Sequence, residues 1–249
     1  ILGMDKIIGL GNALVDVLAT LKDDTLLDEL ELPKGSMQLI DDAKLQQINT
    51  KFSQMKTHLA TGGSAGNAIL GLACLGAGTG FIGKVGNDHY GDFFRKNLQK
   101  NNIEDNLLTS EQLPSGVAST FISQDGERTF GTYLGAAASL KAEDLTLEMF
   151  KGYAYLFIEG YLVQDHEMIL HAIELALDMA SYNIVENDLE FFSLLINKYV
   201  DIVFANEEEA KAFTGEEPEE ALRVIAKKCS IAIVKVGANG SYIRKGTEE

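Results

Sequence analysis

The sequence predicts an α/β fold: a doubly wound, mainly parallel sheet with helices on both faces, plus a small β-sheet lid. Three observations lead there. Apolar runs such as DIVFA (201–205) and IAIVKV (231–236) alternate with helical patterns, as buried parallel strands do. Two alternating segments flank Asp125-Gly126, which reads as a β-hairpin outside that rhythm. A glycine-rich stretch, TGGSAGNA (61–68), runs straight into Ile69, Leu70, Leu72 and Leu75, so it belongs to a packed body and not to a linker.

In chain order, Asp5 to Leu10 reads as a buried strand and Leu14 to Leu21 as a less regular one with Asp16 inside it. Residues 41–56 form an amphipathic helix through Leu45, Ile48 and Phe52. The glycine stretch opens a helix ending near Gly76. Phe81 to Val85 is a strand. Asp92 to Lys100 is a helix whose acidic start and basic end suit its dipole. Ala118–Gln124 and Arg128–Leu134 make the hairpin. The rhythm then resumes: helix 142–151, strand 153–158, helix 165–176, strand 177–180, helix 187–199, strand 201–205, helices 207–213 and 218–228, and strands 231–236 and 241–245. One domain over 1–249 is expected, with a lid from about 14–40 and 117–135. At HAIELALDMAS a helix meets a strand without a turn residue, so a short segment is expected to be missing near Leu177. The chain stops after a strand at YIRKGTEE, so its C-terminal part is expected to be absent.

The 249 residues are 46% hydrophobic and 23% charged, ordinary for a globular chain. A formal charge of −16, from 21 basic and 37 acidic residues, opposes non-specific nucleic-acid binding. No apolar run reaches transmembrane length and no secretory signal pattern opens the chain. A cytoplasmic protein with no membrane partner is expected. Cys74 and Cys229 read as reduced core or near-core thiols.

Each candidate motif has a plain reading beside it. Asp16 follows Gly11-Asn12 at the end of the first strand, where parallel sheets bind ligands; an ionised carboxylate there accepts from a sugar diol, or it sits in an ordinary turn. Gly62, Gly63 and Gly66 let backbone approach a ligand, with Asn67 offering a donor and an acceptor, or they make a tight helix start. GNDHYG (86–91) is a strand–helix turn with Asp88 or Asp92 as cap, or a site loop. Arg128, just past the hairpin turn, reaches a phosphate or lies exposed on its strand. Asn206 and Glu209 in NEEE either cap a helix or organise Mg²⁺ and its waters. Gly237 and Gly240 in KVGANG form a hairpin turn or admit a flat ring or a phosphate. GTGFIG (78–83) matches a dinucleotide pattern but follows a helix and enters a strand, the wrong context, and there is no P-loop. His58, His89, His166 and His171 have no metal spacing.

Taken in order, Gly11-Asn12 with Asp16, GGSAGN, GNDHYG, DGERT, NEEEA and KVGANG resemble the ribokinase-like, PfkB-type sugar and nucleoside kinases over essentially the whole chain. GLGNALVDVLA, ATGGSAGNA and YVDIVFANEEEAKAF are most similar to the adenosine kinases of that family. The resemblance implies transfer of the ATP γ-phosphoryl group to the hydroxymethyl group of a nucleoside or sugar, with Mg²⁺. Asp16, Gly62, Gly63 and Asn67 would hold the sugar, and Arg128 would close from the lid onto phosphate. Asn206 and Glu209, the latter through water, would order Mg²⁺. Lys235, Gly237 and Gly240 would line the nucleotide site. Lys235 stands where the family often has Thr. Met37 falls where adenosine kinases contact the base. The family's Gly-Ala-Gly-Asp segment, whose Asp is the base, does not occur, so no residue here is named as base. Alternatives are a ribokinase- or fructokinase-like sugar kinase and a non-catalytic sugar- or nucleoside-binding protein. A monomer or a lid-mediated homodimer is expected.

Overall fold

The computed structural model describes residues 6–172, 175–178, 189–198 and 200–246. The backbone divides into two units, one of residues 1–11, 68–82 and 141–249, the other of residues 12–67 and 83–140.

The first unit is built on a parallel sheet. Strand β1 (Ile7–Leu10) lies between β5 (Thr79–Gly86), which carries the chain out of this unit after Ile82, and β9 (Tyr155–Glu159). Beyond β9 come β10 (Leu175–Asp178), β11 (Val200–Asn206) and β12 (Ile231–Lys235), all parallel, and then β13 (Ser241–Lys245), antiparallel to β12. Ile8, Leu10, Phe81, Ile82 and Ile158 are each at most 1% exposed, so these strands read as unbroken apolar runs because neither face meets water. A Cβ on Gly9 would strike Ile69, so glycine here is what lets helix α3 (Ser64–Cys74) lie against β1. Helices α5 (Leu147–Phe150), α6 (His166–His171), α7 (Leu189–Lys198), α8 (Glu207–Thr214) and α9 (Pro218–Ile225) connect the later strands. Gly215 ends α8 in a left-handed conformation, φ 77°, and donates to the Lys211 carbonyl at 2.7 Å.

The second unit carries the small sheet. Its order is β3 (Met37–Leu39), β8 (Arg128–Tyr133), β7 (Gly116–Ile122), β2 (Leu14–Thr20) and β4 (Thr57–Gly62). One face alternates inward. Val17, Ala19, Val117 and Phe121 pack with Leu27 and Leu30 of α1 (Thr25–Glu29) or just after it, and with Leu45, Ile48 and Phe52 of α2 (Asp42–Phe52). The opposite face carries Leu14, Asp16 and Leu18, all partly exposed. Arg95 of α4 (His89–Lys100) grips Asp105 of β6 (Ile103–Ser110) with both carboxylate oxygens, at 2.9 and 2.8 Å, and also donates to the Leu107 carbonyl.

Several boundaries differ from expectation. The helix placed over 165–176 stops at His171 and the strand placed at 177–180 begins at Leu175, because a helix running straight into a strand leaves no room for a turn. Residues 173–174 and 179–188 lie outside the described ones, and with them part of that strand and the surroundings of the segment expected to be missing near Leu177. The helix expected over 142–151 is a 3-10 turn, Ala142–Asp144, followed by the single turn of α5, since Thr146 is extended and Gly152 takes φ 85°. Strands β4 and β6 were not foreseen. Cys74 is exposed at the end of α3, not in the core, and Cys229 is partly buried; both are free thiols. Among the described residues no helix is long and apolar enough to cross a membrane.

Candidate functional site

The residues expected to hold a sugar all lie in the second unit. Asp16 sits mid-strand on β2, with Ala60 opposite it and Gly62 opposite Leu14. A Cβ on Gly62 would land on Asp16 Oδ1 and 2.7 Å from its Cγ. The glycine therefore clears the space that the carboxylate fills. Burial pushes the Asp16 carboxyl up to about 6, against the attraction of Arg128, which pulls it down. Neither Asp16 nor Arg128 has a hydrogen-bond partner among the described residues. Arg128 is exposed at the first position of β8, opposite Ile122, and strand alternation places it on the same sheet face as Asp16. Gly63 adopts φ 84° ahead of α3, a turn that favours glycine. Asn67, in the first turns of α3, donates its backbone N–H to the Gly63 carbonyl at 2.9 Å and leaves its side chain exposed.

Gly62→Ala tests whether the glycine serves the carboxylate. The added methyl displaces Asp16 while the rest of the sheet stays intact. The expected result is a folded protein with ligand binding at least tenfold weaker, read by calorimetry beside circular dichroism.

The hairpin that presents Arg128 is strapped to the chain before it. Lys34 Nζ bridges Asp24 at 2.8 Å and Asp125 at 2.6 Å, and Ser123 Oγ donates to Asp24 at 2.6 Å. Gln124 Nε2 donates to the Leu21 carbonyl, and Gly35 N–H to Thr129 Oγ1 at 2.9 Å. Two carboxylates hold the Lys34 ammonium well above its usual value. Exposed pairs of this kind contribute little to global stability, about 0–1 kcal/mol each. Lys34→Met is accordingly expected to leave the melting temperature within a few degrees while amide exchange at 123–128 speeds up severalfold. Unchanged exchange there would show that the strap does not hold the turn.

GNDHYG resolves as structure. Asp88 caps α4 through the N–H groups of Tyr90 and Gly91, at 3.0 and 2.9 Å. It also accepts from Ser115 N and Oγ, both at 2.7 Å, and Gly86 N–H donates to Ser115 Oγ at 2.9 Å. The donors hold the Asp88 carboxyl below its usual range despite partial burial, which acts the other way.

The residues expected at the nucleotide lie together in the first unit. Asn206 ends β11 opposite Lys235, the last residue of β12, so both stand at the carboxyl ends of neighbouring parallel strands. Asn206 caps α8 by accepting from Glu209 N–H at 2.8 Å. In return Glu209 accepts from Asn206 N–H at 2.8 Å and from Asn206 Nδ2 at 2.7 Å. Glu209 is 2% exposed, and both its oxygens are already engaged. Among the described residues no three His, Cys, Asp or Glu side chains converge to hold a metal. Gly237 and Gly240 have φ 54° and 95°, and a Cβ on either would meet nothing within 4 Å. The turn demands these glycines, and open space lies beside both.

Sequence reasoning passed over Glu159. It is 1% exposed and closes β9, one position past the Leu10–Ile158 pair, where strand order reverses about β1. Its signal was a carboxylate ending the apolar run YLFI.

A family model described as pfkB family carbohydrate kinase matches residues 35–249. The chain belongs to this family. The pfkB chain is 25% identical to guanosine-inosine kinase of Escherichia coli strain K12, across 98% of its own length and 61% of that protein's. It thus spans about three fifths of the curated relative it matches. It is similar to the structure of adenosine kinase from Sinorhizobium meliloti, with 31% identity, TM-score 0.82, and coverage of 99% of this chain and 79% of that one. It is also similar to a probable sugar kinase from Rhizobium etli CFN 42, with 30% identity, TM-score 0.84, and coverage of 98% and 78%.

Proposed function

We propose that this pfkB chain belongs to an ATP-dependent, cytoplasmic phosphotransferase acting on the hydroxymethyl group of a small nucleoside or sugar. The observation that carries the reading is Asp16: a largely buried carboxylate, seated over a glycine, with no hydrogen-bond partner among the described residues. A carboxylate held out of water and left unpaired costs stability, and a pair of ligand hydroxyls would restore what burial removed. Guanosine-inosine kinase and adenosine kinase among the similar proteins favour a nucleoside over a free sugar.

In this reading Asp16 accepts hydrogen bonds from two ligand hydroxyls, Asn67 adds a donor and an acceptor, and Gly63 turns the backbone toward the ligand. Arg128 supplies positive charge to a phosphate, and its planar donors suit two phosphate oxygens. Gly237 and Gly240 leave room for a flat ring, with Lys235 beside them. Glu209, fixed by Asn206, holds a water of a hydrated Mg²⁺. When bound, that ion neutralises charge on the phosphates.

The test is ATP consumption by the whole protein with adenosine, guanosine, inosine, ribose and fructose, beside calorimetry of each acceptor. Turnover on one acceptor, with binding lost in Asp16→Ala, supports the reading. Binding without turnover would make it a sugar- or nucleoside-binding protein. Turnover unaffected by Asp16→Ala would remove the assigned sugar site.

A further inference from the structure

The second unit holds a cleft of about 790 Å³ that does not include Asp16. It is lined by Lys22, Lys56 and His58, with Thr20, Thr25 and Gln54 between them. Its volume falls in the range of small-molecule sites, about 300–1,000 Å³. The cleft gathers where the β2–β4 pair ends: His58 pairs with Leu18, Thr20 and Lys22 lie at and just beyond the end of β2, and Lys56 immediately precedes β4. Asp16, mid-strand on β2, shares a face with His58 and Thr20, and the strand advances roughly 13 Å from it to Thr20, which sets the cleft apart from the carboxylate along the strand.

The charges are unevenly satisfied. Of the two acidic groups in the lining, Glu29 is paired with Lys51 at 2.6 Å and Asp23 accepts from Thr25 N–H at 3.0 Å. The basic groups have no such partners. Among the described residues Lys22, Lys56 and His58 make no hydrogen bond and no ion pair; Lys22 contributes only a weak attraction to Asp23. With Glu29 balanced by Lys51, Lys22 and Lys56 stand against Asp23 alone, a local basic excess in a chain with 37 acidic and 21 basic residues. Such groups lower the potential energy of an anion brought among them, and hydroxyl and amide groups at Thr20, Thr25 and Gln54 add neutral donors.

We propose that this cleft binds a small anion bearing phosphate or carboxylate groups, at a place separate from the sugar and nucleotide residues. The proposal stands on the cleft and its charges and does not depend on the kinase reading.

The experiment is calorimetric titration of the whole protein with pyrophosphate and with citrate, at low salt and with EDTA to remove divalent ions. The two anions distinguish a phosphate from a carboxylate preference. Saturable binding of at least one is expected. It should weaken at least tenfold in the pair Lys22→Gln/Lys56→Gln and stay within threefold in Lys22→Arg/Lys56→Arg and in Asn206→Ala. No saturable binding by the unaltered protein, equal affinity in the Gln pair, or a loss caused by Asn206→Ala would each overturn the proposal. Should the Gln pair fail to fold, His58→Ala alone replaces it, and a loss under threefold would overturn the proposal.

Discussion

Asp16→Asn is expected to make the ligand-free protein more stable at pH 8 while destroying its binding of sugar or nucleoside. The folded carboxyl titrates at about 6 against an ordinary 3.8. The folded chain therefore holds this proton more tightly than the unfolded chain does. Stability is greatest below the unfolded value, falls as pH rises from about 4 to 6, and stays low above. A shift of that size corresponds to about 3 kcal/mol at most. Asparagine does not titrate, so its advantage over aspartate is absent at pH 3.5, grows across that window and is constant from pH 7. For a chain of this length the gain amounts to about 5–10 °C in melting temperature. Binding moves the other way. Two charge-assisted hydrogen bonds lost at about 1.5–3 kcal/mol each weaken affinity by about 10²–10⁴. Thermal melts across pH 3.5–8, beside calorimetry, check both halves. A variant no more stable than the parent at pH 8 would show that burial does not strain this carboxylate.

Gly86→Ala is expected to cost about 3 kcal/mol or more, a large share of the 5–15 kcal/mol that holds a domain together. A Cβ here would stand 2.5 Å from Ser115 N and 2.7 Å from both Leu113 O and Pro114 C. These are backbone atoms, and they are tied in place. Ser115 N and Oγ both donate to Asp88, and Ser115 Oγ accepts from Gly86 itself. The methyl can enter only by breaking that knot. Gly71→Ala is the control: it lies mid-helix in α3 with nothing within 4 Å of an added Cβ, and should gain about 0.5–1 kcal/mol. Urea unfolding of the two variants beside the parent separates them. Equal midpoints for Gly86→Ala and the parent would mean that the loop at Ser115 yields.

The parallel strands were legible because burial on both sides leaves an uninterrupted apolar word such as the IIGL of β1, and the hairpin because Asp-Gly marks its turn. β4 was not, because Thr57–Gly62 is an edge strand whose middle three residues are exposed, so THLATG carries no alternation. Asp16 could be nominated from its place after the first strand. What could not be read is that Gly62 serves Asp16: the two are far apart in sequence and meet only through the antiparallel pairing of β2 and β4. Asp88 was ambiguous for a related reason. Its cap to α4 is local and visible in GNDHYG, whereas its bonds to Ser115 arise from tertiary structure alone.

The position of β1 governs the order in which the chain can fold. Ile7–Leu10 is synthesised before both of its flanking strands, and one of these is β9, Tyr155–Glu159. At 5–20 residues per second that neighbour arrives roughly 8 to 30 s later, after about 150 further residues. β5 arrives sooner and pairs with the other edge of β1. For the interval between, an apolar strand presents a bare edge to the cell. That edge is open to mispairing until β9 arrives, a step at which a chaperone would protect the nascent chain.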